Sequence, residues 1–128
     1  MTEAGLRVGV VLIGRNEGAR LVRCLESVCD GQRPVVYVDS GSTDQSVAEA
    51  QQRSALVVAL DMSRPFSAAR ARNEGWRALL AAHPGLDAVQ FIDGDCEVVP
   101  GWLEAAGAAL AGDASVVAVC GYRRERYP

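Results

Sequence analysis

Two aspartates, Asp93 and Asp95, stand one residue apart in the stretch Gln90–Val98, which reads QFIDGDCEV. Two carboxylates on either side of a glycine can turn toward one point on a loop. Mg²⁺ takes oxygen ligands, and proteins usually hold it with one or two carboxylates while substrate phosphates complete the coordination. Acidic triplets are common on solvated turns, but this one directly follows the apolar run VQFI. The pair therefore predicts a site for a divalent cation and its anionic ligand.

A further aspartate, Asp39, follows the apolar run Val35–Val38 and opens the stretch DSGSTD. An acid at the end of a strand can accept a hydrogen bond from a ribose hydroxyl or from the N–H of a nucleobase. The residues after it suit a turn and a helix N-cap, which Ser42 or Thr43 is expected to supply. Asp39 is thus the second candidate ligand, and the residues that follow it have a structural role.

Arg72 is the third candidate, within the predicted helical stretch SAARARNEG. Its neighbours Asn73 and Gly75 are poor helix formers, which indicates a local role at this point. A guanidinium here would present a fork of donors to a base carbonyl or a phosphate. The other arginines of the helix, Arg70 and Arg77, are expected to be solvated.

Short apolar runs and helical periodicities predict the elements that position these residues. The predicted strands are Arg7–Ile13, Val35–Val38, Ala55–Leu60, Ala88–Ile92 and Ser115–Cys120, and the predicted helices begin at Asn16 or Glu17, at Ser42 or Thr43, after Ser67 and at Pro100. This order predicts an α/β fold with a mainly parallel sheet covered on both faces. Ligands of such sheets bind beyond the carboxyl ends of the strands. We therefore expect GRNEG, DSGSTD and DGDCE to meet at one edge.

Composition excludes several classes of protein. The chain has 128 residues, 49% of them apolar, and a net charge of −3, which fits one globular domain and argues against a nucleic-acid partner. No apolar run approaches the length of a membrane span, and no secretory signal is present. We expect a cytoplasmic protein, with membrane association only through parts outside this chain. All 13 basic residues are arginine, so a P-loop or Schiff-base lysine is excluded.

The cysteines and the single histidine offer little chemistry. Cys24, Cys29, Cys96 and Cys120 lack the spacing of a zinc site and are expected to be buried free thiols in a reducing compartment. His83 precedes Pro84 and Gly85, which end helices, so we expect a turn residue without a catalytic role.

Four stretches in order, VGVVLIGRNEG, VVYVDSGSTDQSV, FSAARARNEG and VQFIDGDCEVVPGWLEAA, resemble the N-terminal half of family 2 glycosyltransferases. The resemblance covers about residues 7–120 and implies the GT-A fold, a Rossmann-like three-layer sandwich. It implies one nucleotide-sugar-binding domain over residues 1–128. The implied reaction is metal-dependent transfer of a sugar from a UDP- or GDP-sugar to an unknown sugar, lipid or protein acceptor.

The resemblance also implies roles for individual residues. Asn16 and Glu17 would lie beside the nucleotide, Asp39 would bond the base, Arg72 would contact the base or the diphosphate, Asp93 would reach the ribose or a metal-bound water, and Asp95 would coordinate Mg²⁺ or Mn²⁺. The ion would neutralise charge on the departing nucleoside diphosphate.

The sequence departs from the family pattern in two ways. Ile13, Gly14 and Arg15 replace the usual Pro-Thr-Tyr, so Arg15 would have to stack on the base in place of the tyrosine. The carboxylate base of inverting members belongs to the acceptor-binding half, which would follow residue 128. We therefore identify no catalytic residue, expect a domain truncated at its C-terminal end, and expect nucleotide binding without useful sugar transfer.

Two alternatives stay open at this point. The chain could be a non-catalytic nucleotide-sugar-binding domain. It could also be a nucleotidyltransferase, although GRNEG has few glycines for that class and the usual lysine is missing. A dinucleotide-binding dehydrogenase would need GxGxxG between the first strand and helix, and that motif is absent.

Overall fold

The computed structural model describes residues 5–125, in which four strands alternate with four helices. In chain order they are β1 (Val8–Gly14), α1 (Ala19–Val28), β2 (Val35–Asp39), α2 (Ser46–Gln52), β3 (Leu56–Ala59), α3 (Ala68–Ala82), β4 (Ala88–Asp93) and α4 (Trp102–Gly112). The strands form one all-parallel sheet in the order β3-β2-β1-β4. The predicted α/β fold with a parallel sheet is confirmed.

The register of the sheet brings the predicted loops to one edge. Asp39 of β2 pairs with Gly14 of β1, and Asp93 of β4 pairs with Ile13 on the other side of β1. Asp39 and Asp93 are therefore two strand spacings apart, on the order of 10 Å. This arrangement confirms that the polar stretches after β1, β2 and β4 share the carboxyl edge.

Alternation along β1 sends side chains into two hydrophobic clusters, one on each face of the sheet. Val10 and Leu12 pack with α1, the buried Ala50 of α2 and Leu103 of α4, whereas Val11 and Ile13 pack with α3. Helices thus cover both faces, which gives the three layers expected from the sequence. The sheet is buried best at its centre, where every residue of β2 is buried.

Helix α3 approaches the sheet most closely at Gly75. A Cβ atom at this position would lie 2.5 Å from Val11 Cγ1 and 2.8 Å from Val38 Cγ2. Only a hydrogen fits between helix and sheet at this point. Gly75, three residues after Arg72, therefore has a packing role, which accounts for its presence in α3, and the local role of Arg72 stays a prediction.

The fifth predicted strand, Ser115–Cys120, was wrong. Within residues 5–125 this segment joins no sheet, and Val117 is 89% exposed. An apolar, β-branched run forms a strand only where a neighbouring backbone pairs with it. Tyr127 and Pro128, part of the terminal stretch that suggested truncation, lie outside the described residues.

The remaining predictions on single residues have mixed outcomes. His83 is the C-cap of α3, as expected for a turn residue. All four cysteines are free, but only Cys24 is buried and Cys120 is exposed.

Across residues 5–125, none of the helices combines the length and the apolar character that a membrane crossing requires.

Candidate functional site

Asn16 joins the loop after β1 to the loop after β2. Its side-chain oxygen accepts hydrogen bonds from the backbone N–H groups of Thr43, at 2.7 Å, and Asp44, at 3.2 Å. Its own N–H donates to Ser42 Oγ at 2.9 Å. Asn16 adopts a left-handed conformation with φ of 52°, which asparagine tolerates better than most residues. The asparagine side chain thus connects two loops at the carboxyl edge.

Asp44 makes a second connection between these loops. One carboxylate oxygen accepts from the N–H of Gly18 at 3.2 Å, and the other accepts from the N–H of Ser46 at 2.9 Å. Hydrogen bonding from Ser46, together with the Gly18 amide, holds the pKa of Asp44 below its usual range. Each bond favours the ionised form of the carboxylate.

These connections explain why two helices begin later than predicted. The helix expected from Asn16 or Glu17 begins at Ala19, and the helix expected from Ser42 or Thr43 begins at Ser46. The hydroxyl of Ser42 binds the neighbouring loop, so it does not cap its own helix. Residues with the chemistry of N-caps bridge two loops here.

Asp39 is buried at the end of β2, with 5% of its surface exposed. One carboxylate oxygen accepts a hydrogen bond from the hydroxyl of Tyr37 at 2.7 Å, and the other accepts from the N–H of Ser42 at 2.9 Å. Sequence reasoning missed Tyr37, which it treated only as part of a buried strand. Its position two residues before Asp39 was the available signal, because residues i and i+2 of a strand share a face.

Asp93 and Asp95 flank a tight turn that packs against the end of β1. The N–H of Gly94 donates to the carbonyl of Ile13 at 2.7 Å, and a Cβ on Gly94 would lie 3.0 Å from that carbonyl oxygen. A glycine is therefore the natural residue between the two acids. Both aspartates are exposed at the carboxyl edge, as a ligand site requires.

The structure brings Arg72 to the first of these aspartates. Arg72 Nη2 lies 3.1 Å from Asp93 Oδ1, and the two side chains are 40% and 55% exposed. The pair links α3 to β4 across the carboxyl edge. A cation at this position is compatible with a nearby phosphate, because a guanidinium presents several donors at once.

Glu17 and Arg15 lie on the loop that follows β1, at the same edge of the sheet. Glu17 Oε1 lies 2.9 Å from Arg20 Nη2, an ion pair within its own turn. The Glu17 side chain also folds back over Gly14, where its Cγ would be 3.4 Å from an added Cβ. Arg15 is exposed. Glu17 therefore lies at the end of β1, between the strands that end in Asp39 and Asp93.

The donor set fits a hard cation that shares its coordination with a ligand. Within residues 5–125, no three His, Cys, Asp or Glu side chains converge to form a metal cage. Asp93 and Asp95 offer exposed carboxylate oxygens, and Mg²⁺-type sites with one or two carboxylates rely on phosphate oxygens for the rest. The edge as a whole offers acceptors at Asp39, a guanidinium at Arg72 and metal-ligating oxygens at the turn.

The sequence matches the family model described as glycosyl transferase family 2 over residues 10–127. A TPR repeat-containing protein of Synechococcus elongatus is 33% identical over 99 residues, which cover 77% of this chain and 23% of that protein.

Solved structures of glucosyl-3-phosphoglycerate synthase from Mycobacterium tuberculosis are similar in fold. One is 31% identical, with a TM-score of 0.63, over 85% of this chain and 42% of that chain. Another, in complex with Mn²⁺, UDP and glucosyl-3-phosphoglycerate, is 29% identical with a TM-score of 0.60, over 84% of this chain and 40% of that chain. The chain thus spans about two-fifths of these enzymes and under a quarter of the curated relative.

Proposed function

This chain belongs to glycosyl transferase family 2, and we propose that it binds a nucleotide-diphospho-sugar and provides the donor site for transfer of the sugar to an acceptor. One observation carries the proposal: Asp39 and the Asp93–Asp95 turn flank the end of β1, about 10 Å apart. A ligand with a base at one end and a diphosphate at the other suits that separation.

The proposed roles are those that the resemblance to the family implies, and the chemistry of each side chain is compatible with them. Asp39 accepts a hydrogen bond from the base, and Arg72 offers its guanidinium to the base or the diphosphate. Asp95, with Asp93, would hold Mg²⁺ or Mn²⁺, and phosphate oxygens of the ligand would complete the coordination. The ion, when bound, offsets the negative charge that develops on the leaving nucleoside diphosphate. Asn16 and Glu17 border the nucleotide, Asn16 by fixing the loops around it.

The proposal concerns the donor site and covers neither the acceptor nor the catalytic base. We assign no base among residues 5–125, because the acids of the site have roles on the donor side. The proposed activity of the whole protein therefore needs groups beyond those described. Binding of the donor and transfer of the sugar are consequently measured in separate experiments.

Titration calorimetry with UDP and with GDP, each with and without Mn²⁺, tests the proposal. UDP with Mn²⁺ is the first pair to test, because a solved neighbour is a complex of both. We expect one nucleoside diphosphate to bind more tightly when Mn²⁺ is present. Asp95→Asn should remove this metal dependence, because an amide oxygen is a weaker ligand for a hard cation than a carboxylate.

Asp113→Asn, at the C-cap of α4, is the matched control and should retain the metal dependence. Circular dichroism of both variants establishes that the fold is intact. The proposal is wrong if neither nucleotide binds, or if Asp95→Asn binds nucleotide with unchanged metal dependence. Sugar transfer is then assayed with UDP-sugars and GDP-sugars; transfer by the chain would contradict our expectation that it only binds the donor.

A further inference from the structure

The buried hydrogen bond between Tyr37 and Asp39 has no role yet in the proposed site. Tyr37 lies at the centre of the sheet with none of its surface exposed, and its hydroxyl reaches Asp39 Oδ1 at 2.7 Å. A buried hydroxyl needs a partner, but a serine or a backbone carbonyl would serve equally well. Here the partner is the aspartate that ends β2 at the ligand edge.

The second carboxylate oxygen of Asp39 is fixed as well. It accepts from the N–H of Ser42 at 2.9 Å, and the hydroxyl of Ser42 in turn accepts from the N–H of Asn16 at 2.9 Å. The backbone carbonyl of Asp39 accepts from the N–H of Leu60, also at 2.9 Å. Both carboxylate oxygens of Asp39 are thus held in place, one by Tyr37 of β2 and the other by Ser42 of the following loop.

A carboxylate held in this way selects its ligand by hydrogen-bond type. An ionised carboxylate is an acceptor only, and two oxygens with about four lone-pair sites keep room for a further donor. Uracil and guanine each present a ring N–H on the pairing edge, whereas cytosine presents an acceptor nitrogen at that ring position and has its donor on the exocyclic amino group beside it. A fixed carboxylate also loses little side-chain freedom on binding, which favours affinity.

Tyr37 is a reliable donor at neutral pH. Burial, the hydrogen bond to Asp39 and the negative charge of Asp39 all raise the pKa of Tyr37 above its usual value. The phenol therefore keeps its proton, and the hydrogen bond to the carboxylate persists across the physiological range.

We propose that Tyr37 is a positioning residue that fixes the Asp39 carboxylate and so makes the site selective for bases with a ring N–H, uracil or guanine, over cytosine. The inference rests on the proposed function, because it requires a nucleotide at this edge. Tyr37 touches no ligand itself; it acts through Asp39.

Tyr37→Phe, which removes only the hydroxyl, tests the inference by calorimetry with Mn²⁺ present. We use the nucleoside diphosphate that binds the wild type, UDP or GDP, together with CDP and inorganic pyrophosphate. The preference for the N–H base over CDP should fall about tenfold, the effect of one hydrogen bond to a charged group. Pyrophosphate affinity should be unchanged, because pyrophosphate lacks the base that Asp39 would contact. Tyr122→Phe, at a fully exposed tyrosine, should behave as wild type in every titration.

A double-mutant cycle with Asp39→Asn separates positioning from a general effect on the fold. If Tyr37 acts through Asp39, adding Tyr37→Phe to Asp39→Asn should change the base preference by less than twofold. Asp39→Asn alone should also lower the preference, which tests the inference even if Tyr37→Phe does not fold.

The outcomes distinguish two kinds of failure. If the wild type binds no nucleoside diphosphate, the proposed function itself fails. If the wild type binds UDP or GDP but Tyr37→Phe keeps the wild-type base preference, only the inference fails. If Asp39→Asn keeps that preference, the base contact proposed for Asp39 fails together with the inference. Parallel loss of nucleotide and pyrophosphate binding in Tyr37→Phe would likewise overturn positioning in favour of a structural role.

Discussion

Asn16 shows how one polar side chain can organise a ligand edge. Its oxygen accepts from the amides of Thr43 and Asp44, and its backbone N–H donates to Ser42. The resemblance to the family suggested a place for Asn16 beside the nucleotide. That assignment stays a prediction, and the structure adds that the side chain already holds two loops together.

Replacing Asn16 should destabilise the fold in two separable ways. Asn16→Ala loses both side-chain hydrogen bonds. It also places alanine, which lacks the polar side chain that makes this angle tolerable for asparagine, at φ of 52°. We expect the free energy of unfolding in urea to fall by about 2 kcal/mol. Asn16→Gly tolerates the backbone angle but still loses the bonds, so it should cost about 1 kcal/mol. If Asn16→Gly matches the wild type, the loop bonds do not stabilise the fold.

At the scale of elements, α3 and α4 contain glycines in opposite surroundings. Gly75 of α3 has Val11 and Val38 within 2.8 Å of its missing Cβ, whereas a Cβ on Gly107 of α4 would meet nothing within 4 Å. The same substitution should therefore have opposite effects in the two helices.

Gly75→Ala should lower the free energy of unfolding by about 1–3 kcal/mol, because the added methyl group forces α3 away from the sheet. Gly107→Ala should raise it by about 0.5–1 kcal/mol, since alanine favours the helix and nothing opposes it. Urea unfolding followed by circular dichroism measures both. Equal effects in the two helices would show that helix propensity, and not the contact with the sheet, decides the result at Gly75. Displacement of α3 should also move Arg72 and weaken its ion pair with Asp93.

The elements also show what a sequence can predict. Continuous apolar runs located β1 to β4 to within one residue at each end, although only β1 and β2 are buried along most of their length and β3 and β4 are partly exposed. Ser67 was recognised as the cap of α3, and its hydroxyl does accept from the N–H of Arg70. Ser42 or Thr43 was predicted to cap α2 in the same way, and that prediction was wrong, because the hydroxyl of Ser42 accepts from the N–H of Asn16, 26 residues earlier in the chain. A sequence shows which residues can cap a helix. Whether such a residue bonds its own helix or a distant loop depends on the fold.

The same limit applies to the site. Asp39, Asp93 and Asp95 were proposed as ligands because acids that follow apolar runs stand out in a sequence, and these assignments stay predictions. Tyr37 was missed because it contributes to the core as any large residue would, and its hydrogen bond to Asp39 is visible only in the folded chain. Ser115–Cys120 was predicted as a strand because pairing depends on a partner that local composition does not contain.

The whole molecule couples its stability to pH through buried groups. Burial, more than the nearby acidic side chains and thiols, raises the pKa of Cys24 above the usual value of a thiol. The unfolded chain then releases this proton at a lower pH than the folded chain does. The stabilisation is complete below pH 9 and is lost as the pH rises further.

We therefore expect the urea midpoint to fall between pH 8 and pH 10. Cys24→Ala should flatten this dependence while lowering stability at pH 8 by about 1 kcal/mol through the lost side-chain volume. Cys120→Ala, at an exposed cysteine, should keep the wild-type slope. An unchanged slope in Cys24→Ala would mean that other groups, such as the buried Tyr37, account for the alkaline dependence.

The hydrogen bonds between the two loops also limit how such a site can diverge in evolution. Asn16 accepts hydrogen bonds from the amides of residues 43 and 44, and Asp44 accepts one from the amide of Gly18. The conformation of each loop therefore depends on the other. A lineage that acquired a new donor specificity by altering one loop would have to compensate in the other. Because each side chain accepts from backbone amides of the other loop, a change in the length or backbone course of either loop should require a compensating change in the other.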